Sequence, residues 1–169
     1  MGVTIHFEGR VGDDSSLDKT VALARAFAEE HDWPVEEIQE SNKTLQRIEG
    51  EEDHDYVGPV RGLRIQPHPN SDPLWLEFDE EFFVQDFIKT QFAGVELHLQ
   101  VIALFEQLEP FFETLRIEDE GEFLETRDMN RLERHFSSCF DALSDYLTEH
   151  PSARGPVRTT DGRILDAQD

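Results

Sequence analysis

In this 169-residue chain, one histidine is the first candidate for a catalytic or metal-binding residue, judged by residue type and spacing. His98 lies in an apolar stretch with Leu97, Val101 and Phe105 as neighbours. An imidazole that acts as a general base or metal ligand needs a partner on its second ring nitrogen and a route to water. Glu96 is two residues away and therefore lies on a different side of a helix. The pattern favours a hydrogen-bonded histidine in the core or an interface.

Lys89 is the second candidate, because it ends a segment rich in Phe and Val just before the stretch that holds His98. In an apolar pocket, an amine can act as a base or bind an anion. At the surface it pairs with nearby carboxylates instead. The surface interpretation is favoured, since 38 acidic residues accompany only three lysines.

Two acidic runs form the third group of candidates. The first run contains Glu118, Asp119, Glu120 and Glu122. Its spacing does not match an EF-hand loop, so a solvated loop is favoured over a cation site with Asp119, Glu120 and Glu122 as ligands.

The second acidic run contains Asp79, Glu80 and Glu81. If the strands that precede the two runs lie side by side, both runs would meet at one edge of a sheet. A divalent cation or a basic protein partner would then have several carboxylates to bind.

Catalytic motifs that spacing alone reveals are missing from the sequence. There is no phosphate-binding loop, nucleophile elbow, zinc-protease motif or dinucleotide fingerprint. An enzyme would have to gather His98, Lys89 and Asp119 from separate elements. We therefore expect no cofactor, and a small hydrolase or transferase remains the alternative interpretation.

The charge balance restricts the partners. With 15 basic residues, the formal net charge is −23. Nucleic acid and anionic lipid would be repelled, because both are bound by Lys and Arg. Solubility, adaptation to high salt and attraction to a basic partner all remain compatible with such acidity.

The sequence predicts a cytoplasmic protein. It shows no long apolar run and no signal peptide. The single cysteine, Cys139, rules out a disulfide within the chain.

Hydrophobic periodicity predicts the elements that position these residues. Residues 3–7 and 115–117 read as strands, 35–48 as an extended segment, 60–65 and 74–78 as a hairpin, and 82–90 as a further strand. Helices are expected at residues 17–30, capped by Ser15 or Ser16, at 95–108, and after Asp128. The acidic stretches 49–55 and 118–125 read as exposed loops.

The last residues differ in composition from the rest. Asp161-Gly162 separates two short β-prone runs, which predicts a hairpin with a two-residue type I′ turn. An isolated hairpin is marginal in water, so its arginines should dock it on an acidic surface of its own chain or of a second copy.

Together these patterns predict an α+β fold: a single-layer antiparallel or mixed sheet of four to six strands with about three helices packed on it. Residues 1–150 would form one domain, and 151–169 a C-terminal hairpin tail. The leading functional hypothesis is a non-enzymatic binding or regulatory module that meets a basic partner through its acidic loops. A homodimer through the helix at 95–108 or through the tail is also predicted.

Overall fold

The computed structural model describes residues 2–169, and it contains four α-helices and eight strands in this range. The strands are β1 (Thr4–Val11), β2 (Val35–Glu49), β3 (Glu52–Ile65), β4 (Leu74–Phe78), β5 (Phe83–Lys89), β6 (Phe112–Asp119), β7 (Val157–Arg158) and β8 (Ile164–Leu165). The helices are α1 (Asp14–Glu30), α2 (Val95–Leu108), α3 (Phe123–Thr126) and α4 (Met129–Glu149), with a 3₁₀ turn at Glu109–Phe111. No helix of residues 2–169 is both long and apolar enough to cross a membrane.

The predicted α+β class is confirmed, but the strands form three antiparallel sheets and not one. Their orders are β5-β1-β6, β2-β3-β4 and β7-β8. Both three-stranded sheets contribute to one hydrophobic core together with α1 and α2. A smaller cluster of Val3, Leu132 and Phe136 lies under α4.

Most predicted elements form where the periodicity places them. The helix at 95–108 is buried on several sides, as its nearly continuous apolar surface predicts, and it contacts both α1 and α4. Asp128 caps α4 by accepting the Arg131 N–H at 3.1 Å, as predicted. The cap of α1 is Asp13, which accepts the Ser16 N–H at 2.8 Å, and not Ser15 or Ser16.

The acidic stretch 49–55 is not the predicted loop. A two-residue turn at Gly50-Glu51 joins β2 to β3, and the acids on either side pair in the ladder. Low β-propensity suggested a loop, but cross-strand hydrogen bonds decide the structure here. Residues 43–58 form the outer part of this long hairpin, which we call the arm. In the other acidic stretch, Glu118 and Asp119 belong to β6 and only the following residues leave the sheet.

The tail forms the predicted hairpin with a different turn. Thr159 and Arg163 close a three-residue loop, and Gly162 takes a positive φ of 90° after a turn that begins at Thr159. A type I′ turn would also need a positive φ at Asp161, which the structure does not have. The hairpin docks on its own chain: the Ile164 N–H donates to Asp72 at 2.8 Å, and Arg158 donates to the backbone carbonyls of Pro69 and Ser71.

The two three-stranded sheets meet between β4 and β5, which we call the β4–β5 junction. Backbone hydrogen bonds join these strands only at the two ends, from Asp72 to Lys89 and from Asp79 to Phe83. Between these ends, the carbonyls of Gln85 and Phe87 point away from β1 and receive no backbone donor from β4. Their donors come from side chains elsewhere in the chain.

Arg47 of the arm supplies most of these donors. Its guanidinium group donates to the carbonyls of Gln85 (3.2 Å), Phe83 (3.2 Å) and Glu77 (3.3 Å), and to Asp79 Oδ2 at 3.4 Å. Only 4% of Arg47 is exposed. Arg163 of the tail donates to the Phe87 carbonyl at 3.1 Å and stacks on the Phe87 ring at 4.2 Å. Two arginines therefore replace the missing ladder, because buried carbonyls need donors.

Gln85 fixes the arm at a second point. Its side-chain amide accepts the Ile48 N–H at 2.8 Å and donates to the Ile48 carbonyl at 2.7 Å. The amide thus pairs with the free edge of β2 as a neighbouring strand would.

Replacing Arg47 by Met should lower the free energy of unfolding by about 3 kcal/mol, because three carbonyls and Asp79 lose a buried, charged donor. Arg25→Met is the matched control, since Arg25 makes an exposed ion pair with Glu37 at 3.8 Å and should change stability by less than about 1 kcal/mol. Urea unfolding followed by circular dichroism measures both. Equal midpoints for the two variants would contradict the role of Arg47.

Candidate functional site

The His98 side chain is fully buried and has partners on both ring nitrogens. Nδ1 lies 2.7 Å from Thr90 Oγ1, and Nε2 lies 2.8 Å from Asp119 Oδ1. Thr90 and His98 are both 0% exposed. The histidine therefore links α2 to β6 and to Thr90, the residue after β5, as expected from the interpretation of a hydrogen-bonded core residue.

Asp119 is the centre of this cluster. Besides His98, its carboxylate accepts the backbone N–H groups of Gly121 at 2.7 Å and of Phe123 and Leu124 at 2.9 Å. Burial acts to raise the pKa of Asp119, but the hydrogen bond and charge of His98 and the backbone donors outweigh it and leave the pKa below its ordinary value. Gly121 has no room for a side chain, since a Cβ atom there would lie 2.5 Å from Leu132 Cδ1.

Thr90, His98 and Asp119 have the order of groups found in nucleophilic triads: hydroxyl, imidazole, carboxylate. A triad must also present its hydroxyl to a substrate. Here all three side chains are sealed in the interior. Their geometry supports a structural link between β5, α2 and β6.

Lys89 does not meet His98. Its ammonium group donates to Asp166 Oδ1 at 2.6 Å and to the Ile164 carbonyl at 3.1 Å, both in the tail. Thr90, the next residue, carries the contact to His98, and neighbouring residues of an extended chain point to opposite sides. Lys89 thus holds the tail hairpin on β5.

The two acidic runs do not converge, so the expectation of one shared sheet edge is wrong. β5 and β6 both run antiparallel to β1, and β4 runs opposite to β5. Asp119 therefore pairs beside Ile5 at one end of β1, whereas the turn after β4 lies beside Val11 at the other. Six residues of strand separate the ends by roughly 20 Å.

Several acids of both runs serve the fold. Asp79 is buried and accepts the N–H groups of Glu81 (2.9 Å) and Phe83 (3.1 Å). Glu120 accepts the Thr4 N–H at 2.9 Å, and Glu122 contacts His135 at 2.6 Å.

Four acids of the two runs are exposed: Glu80, Glu81, Glu118 and, to a lesser extent, Glu120. Glu118 and Glu81 are 68% and 76% exposed, and Glu80 is exposed as well. Among residues 2–169, no three His, Cys, Asp or Glu side chains come close enough to hold a metal ion. Asp119, Glu120 and Glu122 therefore do not form a ligand set.

Most cationic side chains are used within the chain. Of the 15 basic residues, 11 lie within 4 Å of a carboxylate oxygen in the described range: Arg10, Arg25, Lys43, Arg47, Arg61, Arg64, Lys89, Arg116, Arg127, Arg131 and Arg163. The 38 acidic residues greatly outnumber these partners. The excess of carboxylates consequently faces solvent.

A cleft of about 710 Å³ lies over the polar face of the β5-β1-β6 sheet, between the arm and the tail. Its cations are already paired: Lys43 with Glu77, Arg163 with Asp86 at 2.6 Å, and Arg116 with Glu8 at 3.5 Å. None of His98, Lys89 and Asp119 lines it. No pattern in the sequence predicts this cleft, because the arm and the tail that enclose it come from distant parts of the chain.

A second concave surface, which the sequence patterns did not predict, lies between β6 and α2. Leu115, Arg116 and Ile117 of β6 line a groove of about 430 Å³ together with Ile102, Phe105, Glu106, Glu109 and Leu124. Five of these eight lining residues are apolar, and the other three are Glu106, Glu109 and Arg116. A groove beside a strand at the edge of a sheet is a geometry that accepts extended peptides.

The chain matches no protein-family model, no curated protein and no solved structure. Its function must therefore be inferred from its own residues.

Asp119→Asn should lower the free energy of unfolding at neutral pH by about 2–4 kcal/mol, because the amide NH₂ cannot accept the backbone donors that the carboxylate accepts. The control is Glu118→Gln, one residue away and exposed, with an expected change below about 0.5 kcal/mol. Denaturant unfolding at neutral pH distinguishes them. A tolerated Asp119→Asn would show that the His98 cluster contributes little.

Asp86 should make stability fall as pH rises. Burial raises its pKa from 3.8 to about 6, despite the opposing charge of Arg163. Between about pH 4 and pH 6, the folded chain keeps a proton on Asp86 that the unfolded chain has lost, so the free energy of unfolding decreases by up to about 3 kcal/mol.

Asp86→Asn should remove this decrease, since an amide does not titrate and its oxygen still accepts from Phe87 and Arg163. Asp145→Asn, at an exposed position of α4, should leave the decrease in place. Urea unfolding across this pH range measures the slope. The same slope in wild type and Asp86→Asn would refute the assignment.

Proposed function

We propose that this protein is a non-enzymatic binding or regulatory module that meets a basic protein partner through its acidic surface. The main support for this proposal is that most of its basic side chains form ion pairs within the chain. Eleven of 15 basic residues pair with carboxylates of the same chain, while the net charge is −23. A partner with complementary potential is therefore cationic.

The exposed acids of the two runs lie at opposite ends of the β5-β1-β6 sheet. Glu118 lies at one end of the β5-β1-β6 sheet, and Glu80 and Glu81 lie at the other. Asp79, Asp119, Glu120 and Glu122 make hydrogen bonds that hold the neighbouring backbone or side chains in place. They position the acidic ends, and Glu118, Glu80 and Glu81 are the members of the two runs that face a partner.

The alternative, a hydrolase or transferase with a His98, Lys89 and carboxylate cleft, has less support. The imidazole is sealed in the core, and the lysine is tied to Asp166 in the tail. No observation favours it over a binding role. Self-association through α2 or the tail hairpin also has less support, because both pack on their own chain.

A fluorescent peptide rich in lysine and arginine tests the proposal. We expect saturable binding with a 1:1 stoichiometry at roughly 30 mM salt, and a tenfold or greater weakening at roughly 300 mM salt, because screening shortens the range of the attraction. An acidic peptide of the same length is the control. Failure of the basic peptide to saturate at low salt would overturn the proposal.

The two ends of the sheet allow a matched pair of variants. Glu118→Lys and Glu80→Lys change the net charge equally but lie at opposite ends. A discrete binding site requires that one of them weakens binding several times more than the other. Equal weakening would indicate diffuse attraction to the whole surface and would contradict a defined module.

A further inference from the structure

We propose that the free edge of β6 and the groove beside it bind an extended, lysine- or arginine-containing segment of the partner by β-strand addition. This inference rests on the proposed function and names its binding site. Main-chain hydrogen bonds to β6 would provide affinity, and the groove would select side chains.

β6 is the last strand of its sheet and pairs on one side only. The Glu120 N–H donates to the Thr4 carbonyl at 3.1 Å, which sets the phase of the ladder. Residues 114, 116 and 118 therefore bond to β1. The backbone groups of Leu115 and Ile117 point outward, where an added strand would find one donor and one acceptor at each position.

The side chains at these positions form the floor of the groove. Leu115 pairs beside Gly9 and Ile117 beside Phe7, so both lie on the core face of the sheet. Beside them lie Ile102 and Phe105 of α2. A residue of the added strand opposite Leu115 or Ile117 would direct its side chain into this groove, which suits an apolar group.

Neighbouring elements limit the length of the segment. The 3₁₀ turn at Glu109–Phe111 precedes β6, and α3 follows it closely. About six residues of added strand, or roughly 20 Å, fit between them.

Charge identifies the occupant. Glu106 and Glu109 stand at the groove, and Glu118 is exposed at the far end of the strand. Arg127 pairs with Glu106. Within residues 2–169, Arg116 is the one cation that lines the groove, and its side chain contacts Glu8 on the opposite face of the sheet. A second copy of this chain also has a net charge of −23, so it would be repelled from this edge. A cationic segment is the occupant that this edge fits.

The test uses an end-capped peptide with the order Lys-Thr-Val-Thr-Val-Thr-Lys as the probe. Two N-methylated versions accompany it, one methylated at both valines and one at the first two threonines. Strand addition requires only alternate N–H groups to face β6. One version should lose at least tenfold in affinity, and the other should bind within about threefold of the parent peptide.

Variants of the protein locate the site. Glu109→Lys should weaken the parent peptide about threefold to tenfold. Glu133→Lys, an exposed acid on α4, makes the same change in net charge and should have a smaller effect. Bound peptide should also slow hydrogen exchange at Leu115 and Ile117, a readout that does not depend on any substitution.

The outcomes separate the two proposals. Peptide binding that both N-methylated versions retain, with equal effects of Glu109→Lys and Glu133→Lys, would overturn the β6 site and leave the proposed function standing. No saturable binding by this peptide or by the lysine- and arginine-rich peptide would overturn both. Light scattering that shows a dimer, with exchange protection at Leu115 and Ile117 without peptide, would assign the edge to a second copy and overturn a cationic partner.

Discussion

The outer edge of β5 is the constraint on which the rest of this structure depends. On this edge the carbonyls of Gln85 and Phe87 receive no backbone donor from β4, and carbonyls left without donors in the interior are costly. Arg47 and Arg163 supply those donors from residues far apart in sequence. Because each arginine is carried by a hairpin, satisfying this edge also fixes the arm and the tail. The β4–β5 junction thus joins two sheets, a long hairpin and the C-terminus.

The pairing of cations within the chain also determines the charge of the surface. A chain with few cations places most of them against its own carboxylates, and its remaining acids face outward. His98 and Asp119, which the sequence marked as candidate catalytic residues, are buried in the core and connect α2 to the sheet. A binding surface follows from this arrangement more directly than a reaction centre does. The free β6 edge gives that surface a defined place and a backbone with which a partner can pair.

Local patterns in the sequence predicted α1, α2, α4, the β3–β4 hairpin, β5 and the tail hairpin, because each depends on periodicity or turn residues within one segment; the short helix α3 lies mostly in the stretch predicted as a loop. Long-range relations were not accessible. Arg47 occupies one position in an alternating, mostly polar strand, and nothing near it marks its burial. The convergence of Asp79 and Asp119 failed because strand direction, and not spacing, places the two runs at opposite ends. At the junction of the two three-stranded sheets, Arg47 and Arg163 likewise supply donors from distant parts of the chain.

Nuclear magnetic resonance of the arginine side chains tests the central claim most directly. If the buried Arg47 guanidinium donates to three backbone carbonyls, its N–H protons should give separate, slowly exchanging signals at neutral pH and room temperature, unlike those of Arg25, whose side chain is 39% exposed. Guanidinium signals of Arg47 that exchange with water as fast as those of Arg25 would place the side chain in solvent. The junction between the two sheets would then need another explanation.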